Sequence, residues 1–520
     1  MKLFKWLSIA FVLSVLFGAC TDPSVEVPPE YGNDPGYSTW YLSGTDRLSS
    51  EVMINGFTIN TSTIDTIRSS VDTIRSSECE YRIVEEIDSQ NTDMTIDFTS
   101  AAQPVSDVYY GMNLQWNSKY FLTVPKYREL AGHVKFDIAR FPGGQERIRY
   151  DRSASTSPND ELGMDQVYQF LLTGEDISNF ISFCSELEIE AEPEYNLFTS
   201  DPVMWADMVD QIVNELGYGL EYLCAGNEPE VNGHGNWEVM EVSTLQEALE
   251  KYTQNFLETR QSIEAVKPGI IHSLFEASSW EEPALADNLD TILANLNGVS
   301  PGAISSHFYA YGYWQGMPES NPAYPSLDHV VIRGNNNHEV DYLSVIKANI
   351  DEKTEKYNLD DQKTFIGELC IAYGAGADIA LELQESLASA IYYAEVLEYC
   401  KLQGYDSLQY FSFSDPEEWA GWRPALIGVS EDHENIYLRP AYYLYMMYEY
   451  FYGDRIVNVS NGRDDDWSVY ASKDDGSSYI MLINRTEDER IKKTASVTTE
   501  SGSRVLELTL HPKSVAIIKF

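Results

Sequence analysis

Two glutamates stand where paired carboxyl chemistry is feasible. Glu228 lies in Gly226-Asn227-Glu228-Pro229, directly after the apolar run Tyr222-Leu223-Cys224-Ala225. Glu368 closes a second apolar run, Phe365-Ile366-Gly367-Glu368. Two carboxyl groups brought to one point suit cleavage of a glycosidic bond. One is protonated and assists the leaving oxygen, while the other is ionised and attacks the anomeric carbon or activates water. Neither group needs a metal or cofactor for this chemistry.

Other polar residues cluster at similar positions. Asn227, beside Glu228, suits hydrogen bonding to a sugar 2-hydroxyl. Glu192 and Glu194 end another apolar run and read as substrate contacts or arginine partners. Glu276 ends a further run and is the main rival carboxylate. For His234, Trp237 and Trp314, in predicted loops, subsite contact and plain packing fit equally well. Cys79, Cys184, Cys224, Cys370 and Cys400 are odd in number and widely spaced, which argues against a disulfide framework. They also lack zinc-ligand spacing.

Elements must carry these groups to one place. Eight short apolar runs span 108–113, 136–141, 189–198, 220–226, 270–275, 303–309, 364–371 and 408–413. Helical periodicity lies between most of them, as in Gln166–Glu186, Leu245–Val266, Tyr342–Tyr357 and Leu381–Cys400. Eight strands alternating with helices predict a (β/α)8 barrel over 105–451. Glu228 then ends the fourth strand and Glu368 the seventh, at the barrel end where such enzymes place chemistry. A doubly wound open sheet is the alternative, weakened by the lack of a G-x-G-x-x-G turn after the early strands. Beyond residue 452 the period becomes about two, predicting strands at 467–471, 479–484, 505–510 and 514–520 in a small antiparallel β domain. The segment 46–104 is expected to add strands to it, and the near-repeat within 64–77 reads as strand or hairpin material.

With the motifs so placed, the chain resembles clan A of the glycoside hydrolases, in particular the arabinofuranosidase-like, xylosidase-like and heparanase-like families. The resemblance covers roughly 105–520. It rests on Asn227-Glu228, Glu368, Arg140-Phe141-Pro142-Gly143-Gly144 after strand two, Ser306-His307-Phe308-Tyr309 on strand six and Gly111-Met112-Asn113 on strand one. It implies a retaining mechanism, with Glu228 as acid/base and Glu368 as nucleophile. It also implies that Arg140 holds Glu368 ionised, that Tyr309 lies beside the nucleophile, and that His307 and Asn113 line the site. Burial and the Glu368 charge are expected to keep Glu228 protonated. The pattern departs in two places. Gln145 stands where Asn often follows Pro-Gly-Gly, and strand eight reads Tyr410-Phe411-Ser412-Phe413 where many members carry Trp. Trp419 or Trp422 on the next loop is the candidate to stand in.

Composition agrees with a glycan partner. Aromatic residues make up 12% of the 520 residues, and aromatic faces pack on sugar C–H faces. The formal net charge of −47 disfavours nucleic acid. Lys2 and Lys5, the apolar run 6–17 and Gly18-Ala19-Cys20 read as a secretory signal over 1–20 ending in a bacterial lipobox, with lipidation at Cys20. Residues 21–45, rich in Pro, Gly, Asp and Ser, read as a flexible tether. The expectation is therefore a monomeric, lipid-anchored outer-membrane enzyme hydrolysing a β-linked poly- or oligosaccharide. A non-catalytic glycan-binding lipoprotein and a transglycosylase are the rival readings.

Overall fold

The computed structural model describes residues 38–42, 80–83, 91–144, 147–155, 167–231, 235–278, 282–312, 340–359, 361–373, 384, 387–416, 425–429, 436–486, 488–510 and 512–519. The chain divides into two units. One runs from Pro104 to Tyr450, and the other joins N-terminal segments to Phe451–Phe520.

The first unit is a closed barrel of eight parallel strands. They are β1 (Tyr110–Asn113), β2 (Ile138–Phe141), β3 (Glu190–Tyr195), β4 (Tyr222–Ala225), β5 (Ile271–Ser278), β6 (Gly302–Gly312), β7 (Lys363–Tyr373) and β8 (Ser407–Tyr410). Each pairs with the next, and β8 closes on β1 through Leu408, Gln409 and Tyr410 opposite Tyr110, Gly111 and Met112. Strands covered on both faces need near-continuous apolar sequence, and all four residues of β1, β2, β4 and β8 are buried. Val108, Ile138, Tyr222, Ala303 and Phe365 form an apolar cluster at the start of the strands. The opposite, C-terminal strand ends carry the polar residues.

Outer helices follow local signals. Leu245–Val266 forms over the predicted span, started by a capping box in which Thr244 and Glu247 satisfy each other's backbone N–H groups. The expectation for Gln166–Glu186 is corrected in its first part. Phe170–Thr173 is a strand paired with Ile148–Asp151, and the helix runs from Gly174 to Leu187. Thr173 caps that helix with Asp176, and the apolar Phe-Leu-Leu run before it is too short for periodicity to separate strand from helix.

The second unit is a β-sandwich. One sheet holds Ser38–Leu42, Ser514–Lys519, Ser478–Asn484, Trp467–Lys473, Arg455–Val457 and Gln103–Pro104. The other holds Val459–Ser460, Met94–Asp97, Ile491–Thr499, Gly502–Leu510 and Glu80–Ile83. Met94, Ile96, Val469, Ile480, Leu482, Leu506, Leu508 and Ile518 share its core. Residues from both chain ends thus pair in register, as in Ser38–Leu42 against Val515–Lys519. This corrects the reading of 21–45 as tether throughout, since Ser-Thr-Trp-Tyr-Leu is β-branched and aromatic and finds an edge to pair with. Ile491–Thr499 was not foreseen as a strand, because only Ala495, Ser496 and Val497 of its nine residues are buried. The near-repeat within 64–77 lies outside the described residues.

Candidate active site

At the C-terminal ends of the barrel strands, one guanidinium organises the polar residues. Arg140, from the end of β2, is 1% exposed. Its Nε and Nη2 donate to Glu194 Oε2 of β3 at 3.0 and 2.8 Å. Nη2 also donates to Asn227 Oδ1 at 2.7 Å. Nη1 reaches Glu368 Oε1 at 3.2 Å and Asn113 Oδ1 at 3.3 Å. Asn113 in turn donates to the Gly367 carbonyl at 2.8 Å, tying β1 to β7 at the residue before Glu368. A buried charge is tolerable only with partners of this quality.

The loop after β2 explains its glycines. A Cβ on Gly143 would meet Asn113 Oδ1 at 2.3 Å. Gly144 has φ +79°, and a Cβ there would lie 3.1 Å from the Phe411 ring and 3.2 Å from Glu368 Oε1. Any side chain here would both strain the backbone and push on the carboxylate.

Glu368 is buried, with donors on both oxygens: Arg140 on Oε1, and the Tyr309 hydroxyl on Oε2. Its pKa is raised above the ordinary carboxylate value, with burial the largest cause; Glu228 adds to the rise, while His307, the Arg140 charge and the Tyr309 hydrogen bond oppose it. Burial and the neighbouring carboxylate push the Tyr309 phenol far above its ordinary range, so it stays protonated and donates. His307 sits between the two glutamates. Its Nδ1 is 2.8 Å from Glu228 Oε1 and 3.4 Å from Glu368 Oε2. Its Nε2 is 3.5 Å from Arg140 Nη1, a donor, so Nε2 must accept and Nδ1 carries the proton. Burial lowers the His307 pKa to about 3, leaving the ring neutral.

Glu228 differs from Glu368 in exposure. Its side chain is 17% exposed against 5% for Glu368, so it is the carboxyl open to a ligand. It is held at φ +37°, a sparsely populated conformation for a non-glycine residue. Donor atoms of Glu228, His307 and Glu368 all lie within 4.8 Å of one another. That cluster has the makings of a cation site, but the Arg140 guanidinium already occupies Glu368 Oε1 and faces the His307 ring. Its positive charge repels a cation there, and the set is better suited to moving protons.

The structure therefore gathers Asn113, Arg140, Glu194, Asn227, Glu228, His307, Tyr309 and Glu368. Asn113, Arg140, Glu194 and His307 are at most 1% exposed and brace the carboxylates from below. Glu192 accepts from Ser273 and Gln409. Trp237 donates to the Pro229 carbonyl at 3.2 Å and packs on Phe198, Met240 and Ala248, steadying the loop after Glu228. The backbone of Glu276 lies at a bulge in β5 between Phe275 and Ala277. Its side chain, with His234, Trp314, Trp419, Trp422, Gln145 and Cys20, lies outside the described residues. Ser273, Gln409 and Phe411 were missed from sequence. For the first two the signal was a polar residue within a predicted barrel strand.

No family model matches the chain, and no curated protein matches it. Solved structures do. The α-L-arabinofuranosidase from Thermotoga maritima aligns with a TM-score of 0.57 at 14% identity, over 82% of this chain and 99% of that one. The family 51 arabinofuranosidase from Xanthomonas axonopodis pv. citri gives 0.61 at 13% identity, over 82% and 99%. A family 44 xyloglucanase from Paenibacillus polymyxa gives 0.55 at 11% identity, over 82% and 98%. The chain is thus similar in fold, over most of its length, to these proteins.

Proposed function

We propose that the chain is a retaining glycoside hydrolase acting on a β-linked poly- or oligosaccharide. The observation that carries this reading is the carboxyl pair. An oxygen of Glu228 and an oxygen of Glu368 lie within 4.8 Å. Retaining enzymes hold their carboxyl groups about 5–5.5 Å apart, whereas inverting enzymes leave about 6.5–9.5 Å for a water. The unequal environments supply two roles. Glu368, buried on Arg140 and Tyr309, attacks the anomeric carbon as the carboxylate, and the glycosidic C–O bond breaks. Glu228 gives its proton to the departing oxygen. It then takes a proton from water, whose oxygen attacks the anomeric carbon and releases Glu368. His307, neutral and donating from Nδ1, steers the Glu228 carboxyl without adding charge.

The names of the similar solved structures, arabinofuranosidase and xyloglucanase, support a glycosidase. The reading extends to location: lipidation at Cys20 would hold the enzyme on the outer membrane. A panel of β-linked plant and algal polysaccharides together with α-L-arabinofuranosides tests the activity, with proton NMR of the first-formed anomer. Retention is expected. A first product of inverted configuration would sink the mechanism, and binding without turnover across the panel would favour a glycan-binding role instead.

A further inference from the structure

We propose that Glu194 is a positioning residue acting through Arg140: as a neutral acid it anchors one edge of the guanidinium and leaves the positive charge to Glu368. The proposal rests on the retaining-glycosidase reading of the site. Its observation is independent of that reading, namely how the two oxygens of Glu194 are partnered.

Several carboxyl groups surround a single guanidinium. Facing Glu194 are Arg140 on β2, Glu192 on its own strand, Cys224 paired beside it on β4 and Glu368 on β7, with His307 of β6 in contact with Arg140. Burial pushes the Cys224 thiol up and His307 down, so both are neutral. Arg140 is left as the one cation among these groups.

The two glutamates that share it are held differently. Glu368 has a donor on each oxygen. Glu194 takes both Arg140 contacts on Oε2, while its Oε1 is buried with no hydrogen-bond partner among the described residues. A bare oxygen costs far more on a buried carboxylate than on a buried neutral acid. Burial pushes Glu194 up to about 8; the Arg140 charge pulls it down, and Glu368 and Glu192 push it up. Two carboxyls on one guanidinium titrate as a pair. The donor pattern puts the negative charge on Glu368 and the proton on Glu194.

Two measurements on the full chain test this. The first needs no substrate. With glutamate 13C-labelled at the side-chain carboxyl, NMR should show one carboxyl titrating near 8 in the wild type and missing from Glu194→Gln. If no wild-type carboxyl titrates at or above neutral pH, Glu194 is ionised at working pH and the proposal is overturned, whether or not the variant folds. The second follows kcat/KM against pH with an aryl glycoside. Glutamine copies a neutral acid, so the acid limb of Glu194→Gln should coincide with that of wild type. Were Glu194 a carboxylate at working pH, its removal would release Arg140 to Glu368. The acid limb would then move down by about one unit or more, which overturns the proposal. If no glycoside is turned over, the functional reading fails by itself, and the NMR titration still decides the charge on Glu194.

Discussion

Arg140 Nη2 donates to Asn227 Oδ1 at 2.7 Å. The amide oxygen of Asn227 is therefore committed to the guanidinium beneath it, and only its Nδ2 can donate to a ligand. One hydrogen bond thus fixes which way round the Asn227 amide sits, next to the more open of the two carboxyl groups.

Asn227→Ala should lower kcat/KM about 100-fold on glycosides carrying a 2-hydroxyl, because hydrogen bonds to that group strengthen in the transition state. On the matching 2-deoxy glycoside the loss should be much smaller. Steady-state kinetics on the two substrates check this. Equal losses on both would show that Asn227 acts only by placing Arg140.

The two carboxyl roles separate chemically. Glu368→Ala should lose nearly all turnover on every substrate, and azide should then release a glycosyl azide of inverted configuration. Glu228→Ala should retain its first step on an aryl glycoside with a good leaving group, then stall. Azide should rescue it with retained configuration. Natural glycans, which need the proton, should lose about 10²–10⁴-fold. Exchanged azide configurations would reverse the assignment.

His272 gives a pH signature of stability. It is buried against Tyr195 and Phe256, and burial lowers its pKa to about 3. Its unfolded value is about 6.5. The unfolded chain therefore binds the proton first as pH falls. Stability from this group is complete above about 6.5 and is lost towards 3, by up to about 1.4 kcal/mol per pH unit. Glu194 and Glu368, raised by burial, contribute with the opposite sign, so the comparison must be between variants. Urea unfolding should show the cost of His272→Gln shrinking from pH 7 to pH 5. A cost that stays constant across that range would mean His272 is not held neutral.

Cys20→Ala should abolish lipidation and release the protein from membranes. Fractionation followed by mass spectrometry of the mature N-terminus reads both effects. A variant still recovered wholly with membranes would sink the lipid-anchor proposal.

Much of the barrel was legible in one dimension. All eight strands appear within or beside the runs read from sequence; most of these runs are rich in apolar residues, as a strand covered on both faces requires. Their order then puts residues 228 and 368 at the same end of the barrel. The helix over Leu245–Val266 was equally readable, since periodicity and capping are local. Tertiary structure alone decided what the buried polar residues do. From sequence, Asn113 reads as lining the site, Glu194 as a substrate contact or arginine partner and Arg140 as the partner of Glu368; all three are buried in the fold. Nothing local says that Arg140 divides its hydrogen bonds between Glu194, Asn227 and Glu368, residues 54 to 228 positions away. Ser38–Leu42 likewise became a strand because Ser514–Lys519, at the far end of the chain, offered it an edge. Burial and apolar pattern are written along the chain; the partner of a charge, and with it the charge state, is set by whichever distant residue the fold brings within about 3 Å.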